Sequence, residues 1–184
     1  AMMRAASRIG ARAHRAAERA FRAGASEFGI HLAYCQAAGQ DANDLPYGNI
    51  IALNEHGAVL HYTDRDRLPP KPVRSFLIDA GASFDGYACD ITRTFPVNGR
   101  FRKEQRLLHD LVCAAQAAAL ALARPGVPYE AGHDAAVATL TEGLLSFGLL
   151  KGRLETAIER GDYKRYYRHK TGHWLGLDVH DVGE

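Results

Sequence analysis

The sequence has 184 residues, of which 47% are hydrophobic and 24% charged, a composition typical of a folded globular domain rather than a disordered chain. The formal net charge is only +2, which argues against a nucleic-acid partner, because such proteins carry a marked basic excess. The most apolar stretch, residues 114–123, is interrupted by Gln116 and is shorter than the roughly 20 residues that span a bilayer, so no membrane anchor is expected.

The first residues and the cysteines indicate a cytoplasmic location. The start, Ala-Met-Met-Arg, leads into an alanine- and arginine-rich segment without the unbroken apolar core of a secretory signal. Cys35, Cys89 and Cys113 are odd in number and form no C-x-x-C pair, so neither disulfides nor a thiolate zinc site is predicted. We expect three reduced thiols, most of them buried.

Two helices are predicted first. Apolar side chains recur at helical spacing over residues 2–23, and Gly24 ends that pattern. Ser26 is a suitable N-cap for a second helix, which we expect to end near Gly39.

Short strand-like runs follow the two helices. Residues 47–53 and 58–62, separated by Asn-Glu-His-Gly, predict a hairpin. Residues 75–80 and 86–95 predict a second strand pair, with a tight turn near residues 84–86.

The second half begins with helices again. Alanine-rich helices are predicted over residues 102–123 and 130–147, followed by a polar loop over about 151–167. A last strand-like run covers residues 172–182.

The two halves share a local pattern. Arg22-Ala-Gly24 with Glu27 recurs as Arg124-Pro-Gly126 with Glu130, each after a long alanine-rich helix. This repeat predicts a duplicated α+β domain with a pseudo-twofold layout, whose second half is incomplete at its C-terminal end. The alternative is that two alanine-rich helices resemble each other by composition alone.

Asp79 and Asp90 carry the strongest chemical signal. If their strands pair through the predicted turn, Asp90 lies opposite Asp79 or diagonally two residues away, and both registers place the carboxylates on one sheet face. Adjacent carboxylates among apolar residues need a shared proton, a cationic partner or a divalent metal. Arg93 is expected on the opposite face, which favours a metal or acid-base role.

Histidines near the C-terminus could complete such a site. His173 and His180 are seven residues apart, so a straight strand would point them to opposite faces unless it bends at Gly176. His61 is expected at the end of the first hairpin, where a lone histidine is more often structural. The remaining histidines give no functional signal; they are His14, His31, His56, His109 and His133.

Taken together, these motifs resemble the Xaa-Pro branch of the metal-dependent exopeptidases with the pita-bread fold. The resemblance lies in Asp79-Ala-Gly-Ala, Asp90-Ile-Thr-Arg-Thr-Phe-Pro, His169, Gly172, His173, Gly176, His180 and Asp181. Residues 46–63 are most similar to bacterial Xaa-Pro dipeptidases (prolidases), and residues 96–178 to aminopeptidase P.

The resemblance implies a dinuclear site with Asp79, Asp90 and His173 as metal ligands and Asp90 as the bridge. It also implies that His61, His169 and His180 line the pocket as catalytic and substrate-binding residues. The two divalent ions would be manganese, with cobalt or zinc also compatible with these ligands. A metal-bridging hydroxide would then attack the carbonyl before proline in a peptide with proline at its second position.

Two departures from the family pattern affect this expectation. Lys170 stands where the family has Gly, Ser, Tyr or Arg. Two metal-binding glutamates and a preceding N-terminal domain are not found in residues 1–184, and Glu184 is too close to His180 to replace either glutamate. The sequence is therefore expected to be a truncated catalytic domain with weak metal binding or none, cut from a parent that forms a homo-oligomer.

Three other functions are compatible with parts of the sequence. A non-catalytic peptide-binding module would keep the fold without the missing glutamates. A methionine aminopeptidase would share the acidic pair, although Tyr62 and Trp174 fit that branch poorly. The basic and aromatic residues 163–168 could contact nucleic acid, but a solvated loop leading into the site explains them with nothing extra and is the preferred interpretation.

Overall fold

A computed structural model describes residues 1–183 and divides the chain into two compact units. The first unit comprises Ala1–Arg100 and Trp174–Glu184, and the second comprises Phe101–His173. Glu184, and with it the expectation that it cannot replace a missing ligand, lies outside the described residues.

The first unit begins with the two predicted helices, α1 (Met2–Arg22) and α2 (Glu27–Ala38). Gly24 between them has a φ of 84°, a conformation that glycine adopts without steric cost. The Ser26 hydroxyl accepts a hydrogen bond from the Gly29 backbone N–H at 3.1 Å and thereby caps α2. Gly39 ends α2 in a left-handed conformation, as predicted.

A sheet packs against this helix pair. Strands β1 (Ile50–Leu53), β2 (Ser75–Ala80) and β5 (Ile91–Pro96) form it in the order β1-β2-β5, and all its pairs are antiparallel. A two-stranded hairpin, β3 (Ser83–Phe84) and β4 (Tyr87–Ala88), lies between β2 and β5 along the chain.

Alternating strand residues and one stripe of each helix form the core of the first unit. Phe21 of α1 contacts Phe76 of β2, with ring centroids 5.0 Å apart. Small side chains on α1 allow the sheet to approach closely. The buried residues of this cluster include Ala13, Ala17, Ile30, Tyr34, Ile51, Leu53, Ile78 and Ala80.

The predicted hairpin between residues 47–53 and 58–62 is wrong. β1 pairs with β2 instead, with Ile50 opposite Asp79, and Asn54–Ala58 form a 3-10 helix. Asn54 has a φ of 55°, and its side-chain oxygen accepts a hydrogen bond from the Arg74 backbone N–H at 2.7 Å. These features turn the chain out of the sheet directly after β1.

The second unit is helical. It contains α3 (Lys103–Ala121), α4 (Tyr129–Ser146), α5 (Leu154–Glu159) and a 3-10 turn (Asp162–Arg165). The two long helices confirm the prediction, and Gly126 before α4 has a φ of 83°, close to that of Gly24. The loop predicted over 151–167 is wrong, because α5 packs against α4 and buries Ala157.

The predicted strand over residues 172–182 is also wrong for the part of the chain described. Trp174 and Asp181 pair in an isolated antiparallel bridge, so the chain reverses direction between them. The Gly176 backbone N–H donates to the Asp178 carbonyl at 3.1 Å within this reversal. A tight turn therefore replaces the bulged strand that the sequence suggested.

The three cysteines are free, as predicted, but the expectation that most of them are buried is wrong. Cys89 is buried, Cys35 is partly buried, and Cys113 is exposed.

No helix among residues 1–183 is long and apolar enough to cross a membrane.

Replacing the cap of α2 tests the start of the fold. Ser26→Ala removes the acceptor for the Gly29 N–H, and we expect a loss of about 1 kcal/mol in the free energy of unfolding. The control is Ser7→Ala inside α1, where the hydroxyl donates to the Met3 carbonyl of the same helix. Chemical denaturation measures both variants, and equal effects of the two substitutions would contradict the capping role.

Candidate functional site

Asp79 and Asp90 share one face of the sheet. The register of β2 and β5 pairs Asp79 with Thr92, so Asp90, two residues earlier, occupies the diagonal position. This confirms one of the two predicted registers. Arg93 pairs with Ile78 and therefore projects from the opposite face, as the alternation along the strand predicts.

A tyrosine that the sequence analysis did not select joins the two carboxylates. The Tyr47 hydroxyl lies 2.7 Å from Asp79 Oδ1 and 2.9 Å from Asp90 Oδ1. Tyr47 precedes β1, and the pairing of β1 with β2 brings it beside Asp79. In the sequence, Tyr47 lies just before a buried strand and within the segment 46–63 that resembles Xaa-Pro dipeptidases, and neither position identifies such a contact.

Gly81 leaves the space that Tyr47 occupies. Extension of the β2–β5 register places Gly81 opposite Asp90, and the Cys89 N–H donates to the Ala82 carbonyl in the same register at 3.0 Å. A Cβ at Gly81 would clash with the Cys89 carbonyl oxygen and would lie 2.6 Å from Tyr47 Cε1. Only glycine therefore permits the chain here and the ring to lie so close together.

The electrostatics of this group favour a cation. Burial raises the pKa of Asp79, the neighbouring Asp90 carboxylate raises it further, and the hydrogen bond from Tyr47 opposes the shift. Burial and the two carboxylates also raise the pKa of Tyr47, so its phenol stays protonated and neutral. Among residues 1–183, Asp79 forms no ion pair with a lysine or arginine. The half-buried oxygens therefore suit a divalent metal ion, which would supply the missing positive charge.

These carboxylates open into a cavity of about 350 Å³ in the first unit. His61 and His180 line this cavity together with the acidic pair. It is lined by Tyr47, Gly48, Ile50, His61, Thr63, Asp79, Asp90, Val179 and His180. His61 is not at a strand end, because its backbone has a φ of 56° in the loop that replaces the predicted hairpin.

The chain reversal between Trp174 and Asp181 carries His180 to the cavity. The Ala88 N–H of β4 donates to the Gly176 carbonyl at 2.9 Å and ties this segment to the hairpin. Asp181 Oδ2 accepts the Leu177 N–H at 3.0 Å within the reversal. Long-range pairing thus places His180, which a straight strand would not have done.

His169 and His173 belong to the second unit, so their role in a centre with Asp79 and Asp90 stays a prediction. Both are exposed, and His169 Nδ1 donates to the Lys170 carbonyl at 2.9 Å. Lys170 Nζ lies 3.8 Å from Glu130 Oε1, and both side chains are largely exposed. Within this unit, the charge of Lys170 is therefore directed to a surface carboxylate.

A second polar cluster surrounds Glu27, which is 1% exposed at the start of α2. Its Oε1 accepts from the Leu53 N–H and His56 Nδ1, both at 2.8 Å, and its Oε2 accepts from the Tyr62 hydroxyl and the Asp66 N–H, both at 2.9 Å. No sequence pattern assigned a function to His56 or marked Glu27 as a site residue. A glutamate beside an N-cap is normally exposed, so no local pattern predicted this burial.

Comparison with known proteins identifies the family. Metallopeptidase family M24 matches the chain over residues 1–184. The chain belongs to this family. It is 54% identical over 182 residues to the Xaa-Pro dipeptidases of Stenotrophomonas maltophilia (strain K279a) and Xanthomonas campestris pv. campestris (strain B100), and each alignment covers 99% of this chain. The chain spans 41% of the length of these curated relatives.

Solved structures of two aminopeptidases show the same fold. An aminopeptidase of Pseudomonas aeruginosa is 40% identical, with a TM-score of 0.89, and zinc-substituted Escherichia coli aminopeptidase P with product is 36% identical, with a TM-score of 0.90. Each match covers the whole of this chain and 41% or 42% of the solved chain. The expected α+β fold of the pita-bread peptidases and the resemblance to both Xaa-Pro branches are confirmed.

A methyl group at Gly81 tests the close packing around Tyr47. Gly81→Ala forces the added Cβ against a backbone carbonyl that cannot rotate away, so we expect a loss of about 3 kcal/mol in the free energy of unfolding. Gly48→Ala is the matched control, because nothing lies within 4 Å of the place its Cβ would take and its φ is not positive. Denaturant titration measures the free energy of unfolding of both variants. A Gly81→Ala variant as stable as the Gly48→Ala control would contradict the close packing around Gly81.

The Glu27 cluster predicts two limits to stability as the pH changes. Burial alone would raise the pKa of Glu27, but its four hydrogen bonds outweigh burial and lower it below 4.5, so its stabilisation is present above pH 4.5 and is lost as the pH falls through the lowered value. The hydrogen bond to Glu27, aided by the charges of Asp66 and Glu55, raises the pKa of His56 above 6.5. The contribution of His56 is therefore complete below pH 6.5 and is lost as the pH rises through the raised value.

Unfolding titrations from mildly acidic to mildly alkaline pH check these signs, with His56→Gln as the comparison. The glutamine side chain keeps a neutral donor, so relative to the wild type the alkaline loss should shrink while the acidic loss remains. An alkaline loss of the same size in both proteins would contradict the assignment to His56.

Proposed function

We propose that this chain forms part of the catalytic domain of a metal-dependent Xaa-Pro peptidase, which hydrolyses the bond between an N-terminal residue and proline. One observation carries the proposal: Asp79 and Asp90 share the hydroxyl of Tyr47 in a cavity that His61 and His180 also line. The names of the relatives support the substrate class, since they include Xaa-Pro dipeptidases and aminopeptidase P.

Asp79, Asp90 and His173 would hold the metal. When bound, divalent ions polarise a peptide carbonyl and make a water molecule nucleophilic near neutral pH. We propose manganese, because carboxylate and imidazole ligands suit it, although one relative was solved with zinc.

The other cavity residues would bind and orient the peptide. His61 and His180 offer imidazole nitrogens that can donate a hydrogen bond to the reacting carbonyl or carry a proton, and we propose His169 as a third such residue. Ile50 and Val179 supply apolar surface in the same cavity, which suits the ring of proline.

We also propose a cytoplasmic location and, for the whole protein, a homo-oligomer.

Replacing the proposed bridging ligand tests this function in the protein that contains this chain. Asp90→Asn should reduce manganese-dependent cleavage of an Xaa-Pro dipeptide by more than roughly 100-fold, because several kcal/mol of transition-state stabilisation depends on the metal. Asp85→Asn is the control, since Asp85 lies exposed in the turn of the β3–β4 hairpin. Metal content and circular dichroism should be measured for each protein.

Further outcomes decide among the alternatives. Unchanged turnover in Asp90→Asn would refute its role as a ligand. Cleavage of Xaa-Pro dipeptides but not of longer Xaa-Pro peptides would identify a dipeptidase, and the reverse preference an aminopeptidase P. Binding without cleavage by the metal-loaded wild type would identify a peptide-binding module, and cleavage of methionyl peptides alone would identify a methionine aminopeptidase.

A further inference from the structure

The segment that carries His61 has little regular structure of its own. Residues 54–66, here named the His61 segment, contain the 3-10 helix after β1 and then irregular chain. Both His61 and Thr63 of this segment line the cavity, and both are exposed. Because irregular chain supplies few restraints of its own, contacts outside the segment must fix where His61 lies.

Glu27 supplies these contacts at several points. Its carboxylate accepts hydrogen bonds from the backbone N–H of Leu53, directly before the segment, and from that of Asp66, at the segment's end. Between these points it accepts hydrogen bonds from His56 Nδ1 and from the hydroxyl of Tyr62, the residue next to His61. One buried side chain therefore closes the segment into a loop at the beginning of α2.

Neighbouring contacts hold the end of the segment in the same place. The Phe28 N–H donates to the Asp66 carbonyl at 3.1 Å, and the Arg67 guanidinium lies 4.3 Å from the centre of the Phe28 ring. Arg65 Nη2 donates to the Asn49 carbonyl at 2.6 Å, and Asn49 lies between two residues of the cavity lining along the chain. These contacts tie the segment to α2 and to the start of β1.

A metal ion is a weaker explanation of this cluster. One potential ligand atom from each of Glu27, His56 and Asp66 lies within 4.8 Å of the others. However, each oxygen of Glu27 already accepts two hydrogen bonds, so a cation would have to displace donors that the fold provides. The carboxylate also lies in the first turn of α2, where the helix dipole favours a negative charge.

We infer that Glu27 is a positioning residue that fixes His61 against the cavity by tying both ends of the His61 segment to α2. The inference rests on the proposed function for the role of His61 toward a peptide, but the placement of the segment can be measured without any activity. The four hydrogen bonds of Glu27 go to residues outside the cavity lining, so Glu27 acts through Tyr62 and the segment ends.

Glu27→Gln in the whole protein is the direct test. The glutamine oxygen can still accept two hydrogen bonds, but in either orientation the amino group faces a backbone N–H, that of Asp66 or that of Leu53, so donor meets donor. We expect amide hydrogen exchange at Asp66 or at Leu53 to become about tenfold faster or more. The NMR signal of the His61 ring should shift or broaden. Glu18→Gln is the matched control, because Glu18 pairs with Arg22 on the outer side of α1.

The kinetic readout separates positioning from general destabilisation. With an Xaa-Pro dipeptide as substrate, Glu27→Gln should lower kcat/KM roughly 10- to 100-fold at unchanged manganese affinity, because a small misplacement of the His61 imidazole slows the reaction strongly. Tyr62→Phe removes one of the four hydrogen bonds of Glu27 and should lower kcat/KM less, with partial broadening of the His61 NMR signal. This variant keeps the test valid if Glu27→Gln does not fold.

Two results would overturn the inference: unchanged exchange at both Leu53 and Asp66 with an unchanged His61 signal in Glu27→Gln, or the same result in Tyr62→Phe if only that variant folds. Failure of the proposed function gives a different pattern. The wild type would then not cleave Xaa-Pro peptides, while the exchange and NMR measurements would still show whether Glu27 places His61.

Discussion

The candidate site of the first unit is built around two carboxylates held beside each other on one sheet face. The hydroxyl of Tyr47 bridges Asp79 and Asp90, but a neutral phenol donates a hydrogen bond without cancelling charge. A positive charge nearby stabilises two ionised carboxylates at such close range, and the burial of Asp79 strengthens this preference. A divalent cation would supply that charge, and membership of a metallopeptidase family is consistent with this.

The backbone around the acidic pair holds the carboxylates of Asp79 and Asp90 close to the Tyr47 hydroxyl. The β2–β5 register sets the diagonal spacing of the carboxylates, and β1 beside β2 brings Tyr47 to them. Gly81 removes the side chain that would collide with the ring and with the backbone at Cys89. A hydrogen bond between Ala88 and Gly176 ties the segment that carries His180 to the β3–β4 hairpin.

Glu27 holds the His61 segment by the same principle, a buried charge satisfied by donors from distant parts of the chain. At the acidic pair the Tyr47 hydroxyl contacts two carboxylates, whereas at Glu27 four donors converge on one carboxylate. Two acidic groups side by side suit a cationic ligand, whereas a carboxylate that accepts four hydrogen bonds suits a structural role. This contrast is consistent with the different roles proposed for the two clusters.

The sequence by itself determined the long helices, the caps at Ser26 and Gly39, the acidic pair and the family to which the motifs belong. These features depend on local spacing: helical periodicity, turn residues and the alternation of strand faces are all readable over a few residues. The shared face of Asp79 and Asp90 followed from the same alternation, since both possible registers preserve it.

Only the tertiary structure decided how the irregular segments are placed. Residues 58–62 have the pattern of a strand, but Asn54 turns the chain away and β2 takes the position beside β1. Residues 172–182 also resemble a strand, yet the pairing of Trp174 with Asp181 reverses the chain and brings His180 to the cavity.

Tyr47 and Glu27 were missed for the same physical reason. Their hydrogen-bond partners lie 26 to 43 residues away along the chain, a separation that no local pattern records. Hydrogen bonds across such separations form only when the sheet and helices have assembled, so the tertiary structure alone decides them.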